Sequence, residues 1–336
     1  MLETSFIKRV LSWYVGFIVL TQIAWAQPKM SSQSMERVKA THNCPGCQLA
    51  NGRFRQQNLN GANFADADLR RADFTGAQLK NSNFRNADLR FAKFTATNLS
   101  DADLTGANLY GAQLIGTDLS HTDLTDARFI QAKLIRVKFT GAKAYGTNFR
   151  GAVFKDLNLR KGKFFGTNFS QADLRRIDLG GADLRECLFV ASQLQESQLS
   201  GANLEGARLD HAHLELASLH ASNLAHSSLR HTNFKSADLS QSRMKHADAR
   251  KANFHRARLH GVKASHASFM EATFVDADLS FGRFDRTNFL GTRLKQAFVY
   301  QTQFCESLLP GNRRSRPCAP DRHNFAVDLE SLDLEF

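Results

Sequence analysis

A chain that winds many times around one axis, five residues to a step, is the fold class this sequence predicts, on three observations. Every fifth residue from Leu49 to Phe304 is large and apolar: of 52 such central positions 28 are Leu and 19 are Phe, and only Ala144, Met244, Ala249, Ala264 and Val299 depart. The residue two before each centre is nearly always small, as at Ala62, Ala67, Ala72, Ala77, Ser82 and Ala87. Central Phe residues also recur twenty apart, in ten pairs such as Phe54/Phe74 and Phe149/Phe169, against four pairs at a spacing of five. A period of five fits neither the 3.6 of a helix nor the 2 of a strand, so these side chains must lie on successive sides of something that turns. The spacing of twenty makes one full turn of it four pentads long.

Within each pentad the order is small, polar (often Asp or Asn), Leu or Phe, then two further residues often polar or Gly, as in Ala102-Asp103-Leu104-Thr105-Gly106 and Ala107-Asn108-Leu109. This pattern resembles the pentapeptide-repeat family. The resemblance implies an all-β fold, a right-handed quadrilateral β-solenoid with one pentad per side, over residues 47–306. Fifty-two pentads make about 13 coils, and at the strand spacing of ~4.8 Å a rod roughly 60 Å long.

Ahead of the repeat, residues 1–26 read as a signal peptide: Lys8 and Arg9, an apolar run from Val10 to Ile23, then Ala24-Trp25-Ala26 as a small-x-small cleavage site. Export to a periplasmic or secreted location is the expectation, with no integral membrane span once the signal is removed. Residue 27 is Gln, so no lipid-modified Cys begins the mature chain. Residues 27–46 read as a polar, mobile leader ending in the cap Cys44-Pro45-Gly46-Cys47.

The five cysteines are then read as those of an exported protein. Cys305 and Cys318 bracket the last pentad and a Pro- and Arg-rich loop and are expected to form a disulfide, as are Cys44 and Cys47. Cys187 fills a small inward slot and is expected to be a buried free thiol. The C-x-x-C also suggests a thiol–disulfide module, but such motifs work at a helix N-terminus and nothing helical is expected to follow. Residues 307–336 form a C-terminal cap and tail in which Val327, Leu329, Leu332, Leu334 and Phe336 alternate with Asp328, Glu330, Asp333 and Glu335. Packing of that tail over the last coil, or a homodimer formed through it, is expected.

Formal charge is +12, and it is concentrated. Twelve basic residues between Arg128 and Arg176 face only Asp156 and Asp173. Within this belt Val137, Leu157 and Ile177 enlarge small slots twenty apart, Ala144 replaces a large centre, and Tyr145 and Phe165 occupy outward positions. Volume compensation accounts for the slots. Rings beside cations form a candidate ligand face: Lys143, Tyr145, Arg160, Lys161, Lys163, Phe165 and Arg185. His226, His246 and His266 repeat at one coil as a surface ladder. It lacks the convergent Cys or carboxylate partners of a structural zinc site and reads as a solvated row titrating near neutral pH, so no metal is expected.

No nucleophile with base and orienting group, no phosphate loop and no isolated carboxylate pair is present; neither catalysis nor a cofactor is expected. The expected function is an interaction scaffold of the bacterial envelope. Its partner would be a protein or an anionic envelope polymer such as lipopolysaccharide or an acidic glycan, with nucleic acid the weaker candidate. The family's intracellular branch resembles DNA and protects topoisomerases through an acidic rod; this basic chain does not share that feature.

Overall fold

The computed structural model describes residues 31–317. From Asn43 to Leu308 the backbone bonds to itself twenty residues on, always in parallel: Asn43 to Asn63, Gln48 to Asp68, Arg53 to Asp73, Asn58 to Gln78, and so on to Asn288 with Leu308. Around the coil these bridges recur every five residues, with the rung between Lys138 and Asn158 left open.

The pentad at residues 62–66 shows why the repeat has its composition. Asn63 N–H donates backwards to the His42 carbonyl (2.8 Å), whereas Phe64 and Asp66 donate forwards to Asn83 and Arg85 (2.7 and 2.8 Å). Ala67 N–H closes a turn onto the Phe64 carbonyl at 3.1 Å. Ala65 N–H would be orphaned, and the Asn63 side chain accepts it at 3.1 Å. The same brace recurs from Asp68 to Arg70, Asp73 to Thr75 and Asp103 to Thr105. The Asp or Asn before each centre is therefore a hydrogen-bond acceptor that completes the backbone account of its pentad.

The turn needs one left-handed residue, at the third turn position. That residue is always the second after the centre, from Asn51 (φ 62°) to Glu306 (φ 51°). Glycine supplies it at places such as Gly61 and Gly106, but Asp, His, Arg, Gln and even Phe91 and Leu216 hold the same conformation. Cooperative laddering on both sides compensates for a torsion that L-residues otherwise avoid.

Inside, the centres are buried from Leu49 to Leu294 and again at Phe304, while Val299 in the last full coil is only partly covered. Phe rings twenty apart stack, for example Phe54 on Phe74 at 4.8 Å and Phe254 on Phe274 at 4.8 Å. Slot hydroxyls reach main-chain carbonyls: Thr97 to Phe74 at 2.7 Å, Ser192 to Phe189 at 2.8 Å. In three pentads the slot is Gly and the Phe ring lies in the vacated space. A Cβ on Gly52, Gly162 or Gly282 would stand 2.5, 2.1 or 2.6 Å from the ring of Phe54, Phe164 or Phe284.

One side is locally more regular. Strands β1 (Gln113–Ile115), β2 (Lys133–Ile135) and β3 (Val153–Lys155) form a parallel sheet in register, where the following slots hold Thr117, Val137 and Leu157. Leu157 fits only partly. Ala144 shares its coil with Phe139, Phe149 and Phe154, whose rings meet edge-on at 6.5 and 5.1 Å and fill the volume that the missing large centre leaves.

The N-terminal end departs from expectation. Ser32–Thr41 is a helix, α1, where a mobile leader extending to the cap is expected. Ser31 caps it by accepting Ser34 N–H at 3.4 Å, and His42 ends it in the left-handed region. Val38 and Met35 pack on the core, so α1 covers apolar surface that the first coil would expose. Its composition is mostly polar and its apolar contact rests on these two residues, too little for a period to be seen. At the other end β4 (Leu308–Leu309) and β5 (Arg313–Arg314) form an antiparallel hairpin. The expected signal segment 1–26 and the tail beyond 317 lie outside the described residues.

Candidate functional site: a basic face on the coil wall

Lys143 and Lys163 are neighbours in one ladder, flanked by Asp123 before and Asp183 after. Two residues beyond each lies an exposed ring, Tyr145 (36 %) and Phe165 (44 %). The Arg185 guanidinium sits over the Phe165 ring at 5.6 Å and is held there by Asp183 at 2.7 Å. That hydrogen bond outweighs burial and keeps the Asp183 carboxyl below its ordinary range. Five of the seven expected residues thus share one wall.

Lys161 stands at the left-handed corner bordering it (φ 52°). Arg160 precedes that corner and turns to the adjoining side, where it pairs with Asp178 at 3.4 Å. Sequence spacing put Arg160 with the others; the corner between residues 160 and 163 separates it. Elsewhere in the belt Lys138, Arg175 and Arg176 are paired with Asp118, Asp173 and Glu196. Among the described residues Lys143, Lys161 and Lys163 make no ion pair within 4.0 Å.

A feature that the sequence reading missed concerns the backbone. Asp123 and Asp183 brace the N–H of Thr125 and Arg185. Lys143 and Lys163 occupy the equivalent position and cannot accept, so the N–H groups of Tyr145 and Phe165 have no protein partner among the described residues. The wall exchanges two braces for two unpaired ammonium groups. Asp and Asn at that pentad position were legible; the bond they make was not.

The histidine ladder stacks face to face, His226 on His246 and His246 on His266, each at 4.9 Å. Among the described residues no group of three His, Cys, Asp or Glu side chains converges for a metal. Cys44 and Cys47 form a disulfide, both buried, beside the end of α1. The Cys44 sulfur lies 3.4 Å from the Ser34 carbonyl in the first turn of α1, so a carbonyl oxygen approaches it there. Cys187 is a buried free thiol; burial pushes its pKa far above the ordinary value. Cys305 is disulfide-bonded, and its expected partner Cys318 lies outside the described residues.

A family model described as pentapeptide repeats matches in eight copies, which span residues 47–120, 132–235 and 237–291. The chain belongs to the pentapeptide-repeat family. Members form right-handed β-helices. Among solved structures, this pentapeptide-repeat chain is similar to HetL, involved in heterocyst differentiation regulation, from the cyanobacterium Nostoc sp. strain PCC 7120, at 22 % identity over 85 % of this chain and 100 % of that one, with a TM-score of 0.32. It is also similar to full-length QnrB1, a plasmid-mediated fluoroquinolone resistance protein, at 15 % identity over 60 % and 91 % of the two chains (TM-score 0.22). A third is a pentapeptide repeat protein from the thylakoid lumen of Arabidopsis thaliana, at 26 % identity over 31 % and 65 % (TM-score 0.15). No curated protein matches the chain significantly. Among the described residues no helix is long and apolar enough to cross a membrane.

Proposed function

We propose that this chain is a quadrilateral rod of about 13 coils that acts, after export, as a non-catalytic interaction scaffold of the bacterial envelope. The observation behind this reading is how the repeat consumes its polar groups: Asp and Asn side chains that could do chemistry brace turn N–H groups, and most slot hydroxyls bond carbonyls, Ser222 and Ser242 excepted. What remains outward is a fixed pattern of charge on a stiff wall, suited to docking. Export is tested by N-terminal sequencing of the periplasmic or secreted protein, expected to begin at Gln27. A chain recovered only inside the cell with Met1 or Leu2 at its start sinks this part.

A second reading concerns what docks. The wall carrying Lys143, Lys163, Tyr145, Phe165 and Arg185, with Lys161 at its edge, is proposed to bind an anionic polymer, because its lysines stand where other coils keep a bracing Asp and remain unpaired. Replacing Lys143, Lys161 and Lys163 together by Glu is expected to abolish retention on immobilised heparin and flatten the salt dependence of what binding is left. The melting temperature should hardly move, since exposed charges contribute little to stability. Replacing His226, His246 and His266 should leave retention intact near about pH 8, where imidazoles are neutral. If the lysine variant is retained like the parent at low salt, the wall is only solvated surface and the scaffold reading stands without it.

A further inference from the structure

The histidines are arranged more specifically than one ladder. His211 and His231 also stack, at 4.7 Å and 5° between planes. They occupy the left-handed corner following the one that holds His226, His246 and His266. The two rows therefore border one flat side of the coil, and all five rings are exposed. Between them lie Arg208, Ser228, Asp248 and Ser268 in one ladder, and Asp210, Arg230 and Arg250 in the turns that follow.

The charges inside this frame nearly cancel at neutral pH. Arg208 pairs with Asp210 at 3.5 Å, Arg230 and Arg250 both hold Asp248 at 2.6 and 2.8 Å, and Lys251 pairs with Glu271 at 3.5 Å. Four cations thus meet three carboxylates, and neutral imidazoles add nothing. Acidification adds up to five positive charges with no carboxylate left to absorb them. The Asp248 carboxyl is raised by burial but lowered more by the two arginines, so it stays ionised and keeps them occupied.

Beyond the first row, Lys245, Glu205 and Asp285 stand in the adjoining turns, and Arg286 continues the row but is held by Glu306 at 2.7 Å. Beyond the second row stand Lys235, His255 and His213, the last with Glu215 at 3.4 Å. His246 is held below its ordinary pKa, first by partial loss of water and then by the charges of His226, His266 and Lys245.

We propose that the side of the coil framed by His211, His231, His226, His246 and His266 is an acid-gated binding surface for a linear acidic glycan, distinct from the lysine wall. A flat side with cations repeating at each rung suits an extended polyuronate, whose carboxylates recur at every sugar. The Ser268 hydroxyl offers a partner for sugar hydroxyls, whereas Ser228 already donates to Asp210 and Asp248 is held by the two arginines. Among the described residues no exposed Phe, Tyr or Trp ring, the usual platform for single-stranded bases, lies on this side.

The test measures binding of the full chain to fluorescein-labelled polygalacturonate at about pH 7.5 and about pH 5.5, across the range in which imidazole charges. The parent is expected to bind at least about tenfold tighter at the lower pH, with a steeper salt dependence. Replacing the five histidines by Gln should remove that gain and leave binding at the higher pH unchanged. Gln holds the same left-handed corner at Gln131, Gln171 and Gln241, so the variant should keep its fold, and an unchanged circular-dichroism melt checks it. The variant with Lys143, Lys161 and Lys163 changed to Glu should bind more weakly at both pH values yet keep the acid gain. The proposal is overturned if the parent shows no gain, if the Gln variant keeps it, if the lysine variant loses it, or if anionic phospholipid vesicles show a larger gain than polygalacturonate.

Discussion

Phe169→Ala is expected to destabilise the protein by about 3–5 kcal/mol. Phe169 is fully buried and stacks on Phe149 at 5.5 Å and Phe189 at 5.1 Å, with Phe154 and Phe164 edge-on at 5.9 and 5.6 Å. Truncation leaves a ring-sized void between two stacked neighbours, and a wall laddered on every side has little freedom to collapse into it. Each coil touches only its neighbours, so the loss should uncouple the coils before Phe169 from those after it and broaden the transition. Far-UV circular dichroism in urea is the suitable readout, because both tryptophans, Trp13 and Trp25, lie in the expected signal. A shift of less than about 1 kcal/mol would mean that the stack is ornamental and the backbone ladder carries the fold.

Gly162→Ala should destabilise by about 1–3 kcal/mol although Ala is the commonest residue at that pentad position. The backbone there is ordinary, so the cost is one of space: the new Cβ would lie 2.1 Å from the Phe164 ring and 2.9 Å from the Leu159 carbonyl. The ring must leave the slot, and the wall around it has no vacancy. Adding Phe164→Leu should recover most of the loss, since Ala followed by Leu is the chain's commonest pairing and fits elsewhere, as at Ala67 and Leu69. The two substitutions are then strongly non-additive in a double-mutant cycle. Additive losses would show that Gly162 is needed for a reason other than the ring.

What the sequence made legible and what it hid divide along a physical line. The buried faces of the pentad were visible because burial selects volume directly: Leu or Phe at one position, Ala or Ser two before it. Even the pairing of Gly162 with Phe164 is written there, though only the ring's placement reveals its meaning. Hydrogen-bond roles were harder. Acceptors such as Asn63 and Asp73 are recognisable as a preference for Asn or Asp, but their purpose appears only when the N–H groups of Ala65 and Thr75 are seen to need a partner. The left-handed corner was obscured because His226, Lys161 and Leu216 adopt a torsion for which glycine is the usual marker. On the basic wall, residue spacing placed Lys143, Lys163, Tyr145, Phe165 and Arg185 together, since twenty residues close one turn, and misplaced Arg160 because a corner is invisible to spacing. Helix α1 was missed for want of a longer apolar stripe than Met35 and Val38.

Register has a consequence for how such a surface can change. Adding or deleting twenty residues in phase leaves every later side chain above its former column, merely farther along the axis. A pentad alone is different: five residues preserve the alternation of slot and centre, so the core still fills, yet everything downstream is advanced by a quarter of the twenty-residue turn. One such insertion between Arg185 and Arg208 would swing the histidine-framed side around the axis relative to the lysine wall without altering a single contact within either. Length and azimuth are thus separately adjustable, and a lineage of these chains can re-aim two binding faces against each other by editing an interval that belongs to neither.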